Sequence, residues 1–146
     1  MAASDKLEAR EVTARPIVLV VDDVVLVRML VADSLRGRGF QVLEAGSGEE
    51  AIRLLQSEQA VSVVLTDLYM PAAEFDGFGL ARWIRNHRPE VKVVVGSGVN
   101  SALDPADAPL FVGPVVRKPY DWKALEERLR AAMSDQGGSD TKGGAG

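Results

Sequence analysis

Apolar stretches of about five residues alternate along this chain with segments of helical periodicity, and that alternation restricts the fold more than any other feature of the sequence. Ile17–Val21 is continuously apolar, while residues 61–65 and 91–95 are interrupted only by Ser62 and Lys92. Strands covered on both faces read this way, and such strands belong to parallel sheets. Gln41–Ala45 and residues 112–117 are shorter candidates of the same kind.

The gaps carry helical signals. Leu26, Val27, Leu30, Val31, Ser34 and Leu35 share one face, followed by Gly37 and Gly39 where a C-terminal cap favours a left-handed residue. Ser47 and Glu50 match a capping box ahead of Ala51, Ile52, Leu54 and Leu55. Asp76 suits the start of a helix carrying Leu80, Trp83 and Ile84, which must end before Pro89. Asp121 suits the start of a last helix with the stripe Trp122, Leu125, Leu129 and Met133. Between the fourth and fifth strands, Pro105 and Pro109 each disfavour helix at the preceding residue, so a turn or a mobile loop is expected in place of a fourth helix.

Strand followed by helix, repeated five times, requires right-handed crossovers and a doubly wound α/β domain. A chain of 146 residues holds one such domain. Residues 1–15 lack an apolar period and residues 134–146 are rich in Gly and Ser, so both are expected to be disordered around a domain of residues 16–133.

Cysteine is absent, which excludes disulfides, thiolate metal sites and thiol nucleophiles and points to a reducing, cytoplasmic setting. The first residues lack the apolar core of a secretory signal, and no stretch approaches the ~18 apolar residues of a membrane span. With 17 Lys and Arg against 21 Asp and Glu, the formal net charge of -4 speaks against a nucleic-acid partner. Arg82, Arg85, His87 and Arg88 fall in the last turns of the third helix, where cations complement the helix dipole.

Ligands of open parallel sheets bind at the carboxyl ends of the strands. There the sequence places Asp22 and Asp23 after the first strand, Asp67 after the third, Ser97 at the end of the fourth and Lys118 at the end of the fifth. Singly, each has an ordinary reading as a helix cap, a turn residue or a strand end. Together, three carboxylates repel one another unless a cation neutralises them, and hard oxygen donors suit Mg2+. One aspartate then serves as nucleophile toward a phosphoryl group whose oxygens Lys118 and Ser97 bind.

Val20-Val21-Asp22-Asp23, Thr66-Asp67-Leu68-Tyr69-Met70-Pro71, Asp76-Gly77, Gly96-Ser97-Gly98 and Lys118-Pro119 resemble the receiver domain of the two-component response-regulator family, over about residues 16–133. The resemblance implies a five-stranded flavodoxin-like sheet of order 2-1-3-4-5 with phosphorylation at Asp67. It further implies Mg2+ on Asp23, Asp67 and the backbone carbonyl of Tyr69, with Asp22 acting mainly through water. The phosphoryl group would meet Lys118, Ser97 and the backbone of Gly98 and Tyr69, and the Lys118-Pro119 bond would be cis. The implied donor is a histidine kinase or histidine phosphotransfer protein. The implied output is protein binding by a stand-alone signalling protein, with no enzymatic activity beyond self-phosphorylation from small donors and autodephosphorylation.

Three features depart from the family pattern. Val115 replaces the usual aromatic switch, residues 109–114 replace a Gly-Ala-Asp stretch, and the loop from Pro71 to Asp76 is two residues longer. These resemble a subgroup of stand-alone receivers that pair with HWE-type kinases and carry a degraded fourth helix. Residues 100–108 are expected to be the most mobile internal segment, and activation is expected to order that segment into a surface of residues 98–108. Two other readings stand beside this one. A Mg2+-dependent aspartyl phosphohydrolase is opposed by Tyr69, which stands where such enzymes carry a second Asp. A pseudo-receiver that docks without phosphorylation is opposed by the complete set Asp22, Asp23, Asp67, Ser97 and Lys118, and favoured by Val115.

Overall fold

The computed structural model describes residues 15–58, 60–71, 75–98 and 103–145. Its elements run β1 (Ile17–Val21), α1 (Val25–Arg36), β2 (Gln41–Ala45), α2 (Gly48–Ser57), β3 (Val61–Asp67), α3 (Gly77–His87), β4 (Lys92–Ser97), a 3-10 turn (Ala108–Leu110), β5 (Val116–Arg117) and α4 (Trp122–Ala145). The strands form one parallel sheet of order β2-β1-β3-β4-β5, the flavodoxin-like topology expected from the sequence.

Side-chain alternation along the central strands divides the core in two. Val18, Val20, Val63, Leu65 and Val94 pack with Val31, Ala32 and Leu35 of α1 and Leu125, Leu129 and Ala132 of α4. Leu19, Val21, Val64, Val93 and Val95 pack with Ala51 and Leu55 of α2 and Leu80, Ala81 and Ile84 of α3. A fully covered sheet needs apolar residues at both parities, which accounts for the unbroken apolar runs.

Helix starts follow the sequence. The Ser47 hydroxyl accepts the Glu50 N–H at 3.1 Å, Asp76 accepts from Gly79 at 2.9 Å, and Asp121 accepts from Ala124 at 3.0 Å. The capping box closes one residue early, because Glu50 accepts from the Gly46 N–H at 2.7 Å. After α1 the left-handed residue is Gly39, at φ 100°, while Gly37 stays right-handed.

Three expectations need correction. The buried stripe of α1 is Val31, Ala32 and Leu35; Leu26 and Leu30, placed on the inner face from the sequence, are 77% and 59% exposed. This helix is apolar around more than one face, so periodicity alone does not choose the side that meets the sheet. The fifth strand has two residues, not six: Gly113 adopts φ 76°, Pro114 has no N–H to pair, and Arg128 takes the carbonyls of Val112 and Pro114 at 3.0 and 2.7 Å. Strand β3 runs further toward its carboxyl end, to Asp67, while β4 ends at Ser97 as the sequence placed it. The backbone of α4 is helical from Trp122 to Ala145.

The crossover into β5 contains, among the described residues, only turns and the 3-10 helix with Pro109 inside it, as the prolines require. Residues 99–102, which overlap the start of the segment expected to be mobile (100–108), lie outside the described residues, as do residues 1–14 of the expected N-terminal tail.

Candidate functional site

At the carboxyl edge of β1, β3 and β5 the carboxylates of Asp22, Asp23 and Asp67 converge, one oxygen of each lying within 4.8 Å of the others. Asp22 is buried and Asp23 and Asp67 are half-buried. Asp67 ends β3, the central strand: it pairs with Gly96 of β4, and Thr66 before it pairs with Val21 of β1. Its Oδ1 accepts the Leu68 N–H at 3.0 Å, and its Oδ2 lies 3.4 Å from Lys118 Nζ. Asp22 divides its carboxylate similarly: Oδ1 accepts the Val24 N–H at 2.9 Å and Oδ2 accepts Lys118 Nζ at 2.7 Å. Neither Asp22 nor Asp23 is the helix cap of α1, which starts from Val24 with no side-chain cap.

One ammonium against three carboxylates leaves the cluster with an excess of negative charge. Burial pushes the Asp67 carboxyl above the ordinary carboxylate range; the Lys118 charge opposes this, and the Asp22 charge adds to it. Hard, negatively charged oxygens clustered this closely fit Mg2+, which is held through one or two carboxylates and keeps several waters in its shell.

The remaining predicted residues have different placements. Ser97 is buried at the end of β4, and its carbonyl accepts the Lys118 N–H at 3.0 Å, which ties the two strand ends together. Gly98 is exposed, with open space where a side chain would stand. The Tyr69 side chain is exposed and meets Phe78 edge-on at 6.1 Å. Lys118-Pro119 is cis, as the resemblance implied. Val115 is half-buried against the α2 and α3 side of the core.

Three supporting contacts escaped the sequence reading, one of them made by Gly77 of the Asp76-Gly77 pair. Arg28 of α1 donates from Nη1 to the Asp22 carbonyl at 2.8 Å and pairs with Glu44 at 3.4 Å, holding the loop that carries the acidic pair. Its place five residues after Asp23 on a helix was the available signal. Gly77 lies so close to Asp67 and Leu68 that a Cβ there would collide with the Asp67 carbonyl, and its N–H donates to the Leu68 carbonyl at 2.9 Å. The third is made by Tyr120, which packs against Gly96, and nothing in the local sequence announces that pairing.

A doubly wound sheet with an acidic trio and a lysine at its carboxyl edge defines a class of aspartate-centred domains built for phosphoryl groups and hard cations. The chain belongs to the response regulator receiver domain family, whose pattern matches residues 18–130. It is 36% identical over 117 residues to an NtrX-like response regulator of Rickettsia felis, covering 79% of this chain and 24% of that protein. It is 30% identical over 120 residues to a CheY chemotaxis protein of Rhizobium etli, covering 80% of this chain and 91% of that one. The chain thus spans about a quarter of the NtrX-like relative and nearly all of the CheY relative. Response regulator protein TrrA of Thermotoga maritima, crystallised with Mg2+ and BeF, shares the fold with a TM-score of 0.73 at 24% identity, covering 81% of this chain and 99% of that one. Among the described residues no helix is long and apolar enough to cross a membrane.

Proposed function

We propose that this receiver domain accepts a phosphoryl group on Asp67 from a phosphohistidine of a histidine kinase or phosphotransfer protein, and signals by binding proteins in its phosphorylated state. The observation that carries this reading is the meeting of Asp22, Asp23, Asp67 and Lys118 at one edge of the sheet. Asp67 Oδ attacks phosphorus in line with the imidazole leaving group. The P–N bond breaks, its electron pair returns to the ring nitrogen, and the ring keeps a proton, leaving an acyl phosphate on Asp67. Lys118 reaches Asp67 Oδ2 and is the cation on this chain placed to bind a phosphoryl oxygen. Ser97 and the Gly98 N–H end the neighbouring strand on the same edge and are read as further oxygen ligands.

Asp22, Asp23, Asp67 and the Tyr69 carbonyl are read as the holders of Mg2+, which supplies charge neutralisation for the incoming phosphoryl oxygens. The TrrA complex supports that reading. The α1 surface supports a docking role: Val24, Val25, Leu26, Met29 and Leu30 are all about half exposed or more, beside the acidic site. That patch suits the apolar face of a partner helix bearing the histidine. The cysteine-free composition supports a cytoplasmic setting.

Intact-mass spectrometry after incubation with acetyl phosphate and Mg2+ tests the acceptor. One phosphoryl group should add to the wild type and none to Asp67→Asn; a label mapped to Asp22 or Asp23 in the wild type refutes the assignment.

A further inference from the structure

Gly96 and Asp67 are partners in the register between β3 and β4. Val63, Leu65 and Val94 face the α1 and α4 side, so by alternation Asp67 and Gly96 face that side as well. The space a Gly96 side chain would fill is taken by Tyr120. A Cβ there would lie 2.8 Å from the ring Cζ and 3.0 Å from Cε1, and would overlap the hydroxyl outright. Tyr120 comes two residues after Lys118, on the same short arm between β5 and α4. The arm is held at one end by the bond from the Lys118 N–H to the Ser97 carbonyl. At the other end the ring is seated in the Gly96 notch, with Trp122 at 6.0 Å and the α1 side of the core against it.

Lys118 is a flexible four-carbon cation that must reach Asp22 at 2.7 Å and Asp67 at 3.4 Å at once. The geometry points to Tyr120 as the positioning residue of the site: its ring, locked into the notch at Gly96, fixes the Lys118-Pro119 arm so that the ammonium stays on Asp67. This rests on the reading of Asp67 as acceptor and adds a residue pair to it. The same seat carries the one aromatic on this arm, at a position distinct from Val115. Burial first, and then the charges of Asp22 and Asp67, raise the Tyr120 phenol, so it stays neutral and adds no further negative charge to the cluster.

Two measurements on Tyr120→Ala, Tyr120→Phe and Gly96→Ala test the anchor. The first is the side-chain 15N resonance of Lys118, assigned by its loss in Lys118→Arg, which is sharp only for an immobilised ammonium and needs no phosphoryl chemistry. It should be present in the wild type and in Tyr120→Phe, which keeps the ring, and broadened away in Tyr120→Ala and Gly96→Ala. The second is the rate of Asp67 labelling by acetyl phosphate, which should fall roughly tenfold or more in Tyr120→Ala and recover most of that loss in Tyr120→Phe. In a Lys118→Ala background the Tyr120→Ala substitution should have no further effect, the non-additivity expected of residues acting through one another. Melting curves identify any variant that has lost its fold, and Tyr120→Ala, which leaves a cavity, complements Gly96→Ala, which forces a clash. A sharp Lys118 resonance in folded Tyr120→Ala overturns the proposal, as does a rate loss that persists in Lys118→Ala. An unlabelled wild type refutes the acceptor reading instead and leaves the resonance to decide the anchor.

Discussion

Asp67→Asn should make the metal-free protein more stable. At an effective dielectric near 20, a carboxylate about 4.8 Å away costs roughly 3.5 kcal/mol and the Lys118 contact at 3.4 Å returns roughly 5 kcal/mol. Neutralising Asp67 removes two repulsions and one attraction, a net of roughly 2 kcal/mol, together with the burial of a charged carboxylate, the largest cause of its raised pKa. Partial access of water to Asp23 and Asp67 reduces that to about 1–2 kcal/mol. The asparagine oxygen still accepts the Leu68 N–H, so the substitution changes charge with little change of shape. For a domain of this size the gain corresponds to about 4–8 °C in Tm at pH 7. The pH dependence fixes the sign independently. The folded carboxyl titrates above its unfolded value of 3.8, so the native state binds the extra proton in the window between the two. Its contribution to wild-type stability therefore falls as pH rises through that window, and its cost is complete at neutral pH. The advantage of Asp67→Asn should shrink as the pH is lowered toward 3.8, and shrink again at pH 7 when Mg2+ is added. Thermal denaturation of both proteins from pH 3.5 to 8 in a chelating buffer measures this. An equal or lower Tm for Asp67→Asn at pH 7, or a gain independent of pH, refutes the account of the site as an electrostatically overcharged cluster.

Asp23→Ala should weaken Mg2+ binding at least tenfold by calorimetric titration, because it removes a charged oxygen donor from the cluster; unchanged affinity would place the metal elsewhere. Leu35→Ala should cost about 2–5 kcal/mol in urea unfolding at unchanged slope, since the side chain is fully buried between α1 and the sheet. Leu30→Lys should slow phosphoryl transfer from a phosphohistidine protein while leaving labelling by acetyl phosphate at the wild-type rate, as Leu30 lies on the exposed face of α1. Equal slowing with both donors would show that the α1 face acts on the site itself and not on a partner.

The sheet was legible because its central strands are buried on both faces, which forces long apolar runs that leave little room for another reading. The acidic trio was legible because parallel topology sends Asp22, Asp23 and Asp67 to one edge whatever the loops do. The orientation of α1 was not, since Leu26 and Leu30 satisfy the same period as Val31 and Leu35, and only contact with the sheet selects between them. The contraction of β5 came from the Arg128 side chain, which takes the carbonyls of Val112 and Pro114 from 16 and 14 positions along the chain. Tyr120 and Gly96 were hidden for a related reason: a ring and the gap that receives it are separated by most of a crossover, and neither carries a local pattern.

The exposed apolar face of α1 also sets how its complexes should respond to conditions. Contacts made by Val25, Leu26, Met29 and Leu30 involve no charge to screen, so binding through them should survive high salt that would dissolve an electrostatic pairing. Removing that surface from water should register as a negative heat capacity change, with affinity weakening on cooling. A regulator that recognises its partner in this way would discriminate by shape and by seated side chains, and its signalling would vary more with temperature than with ionic strength.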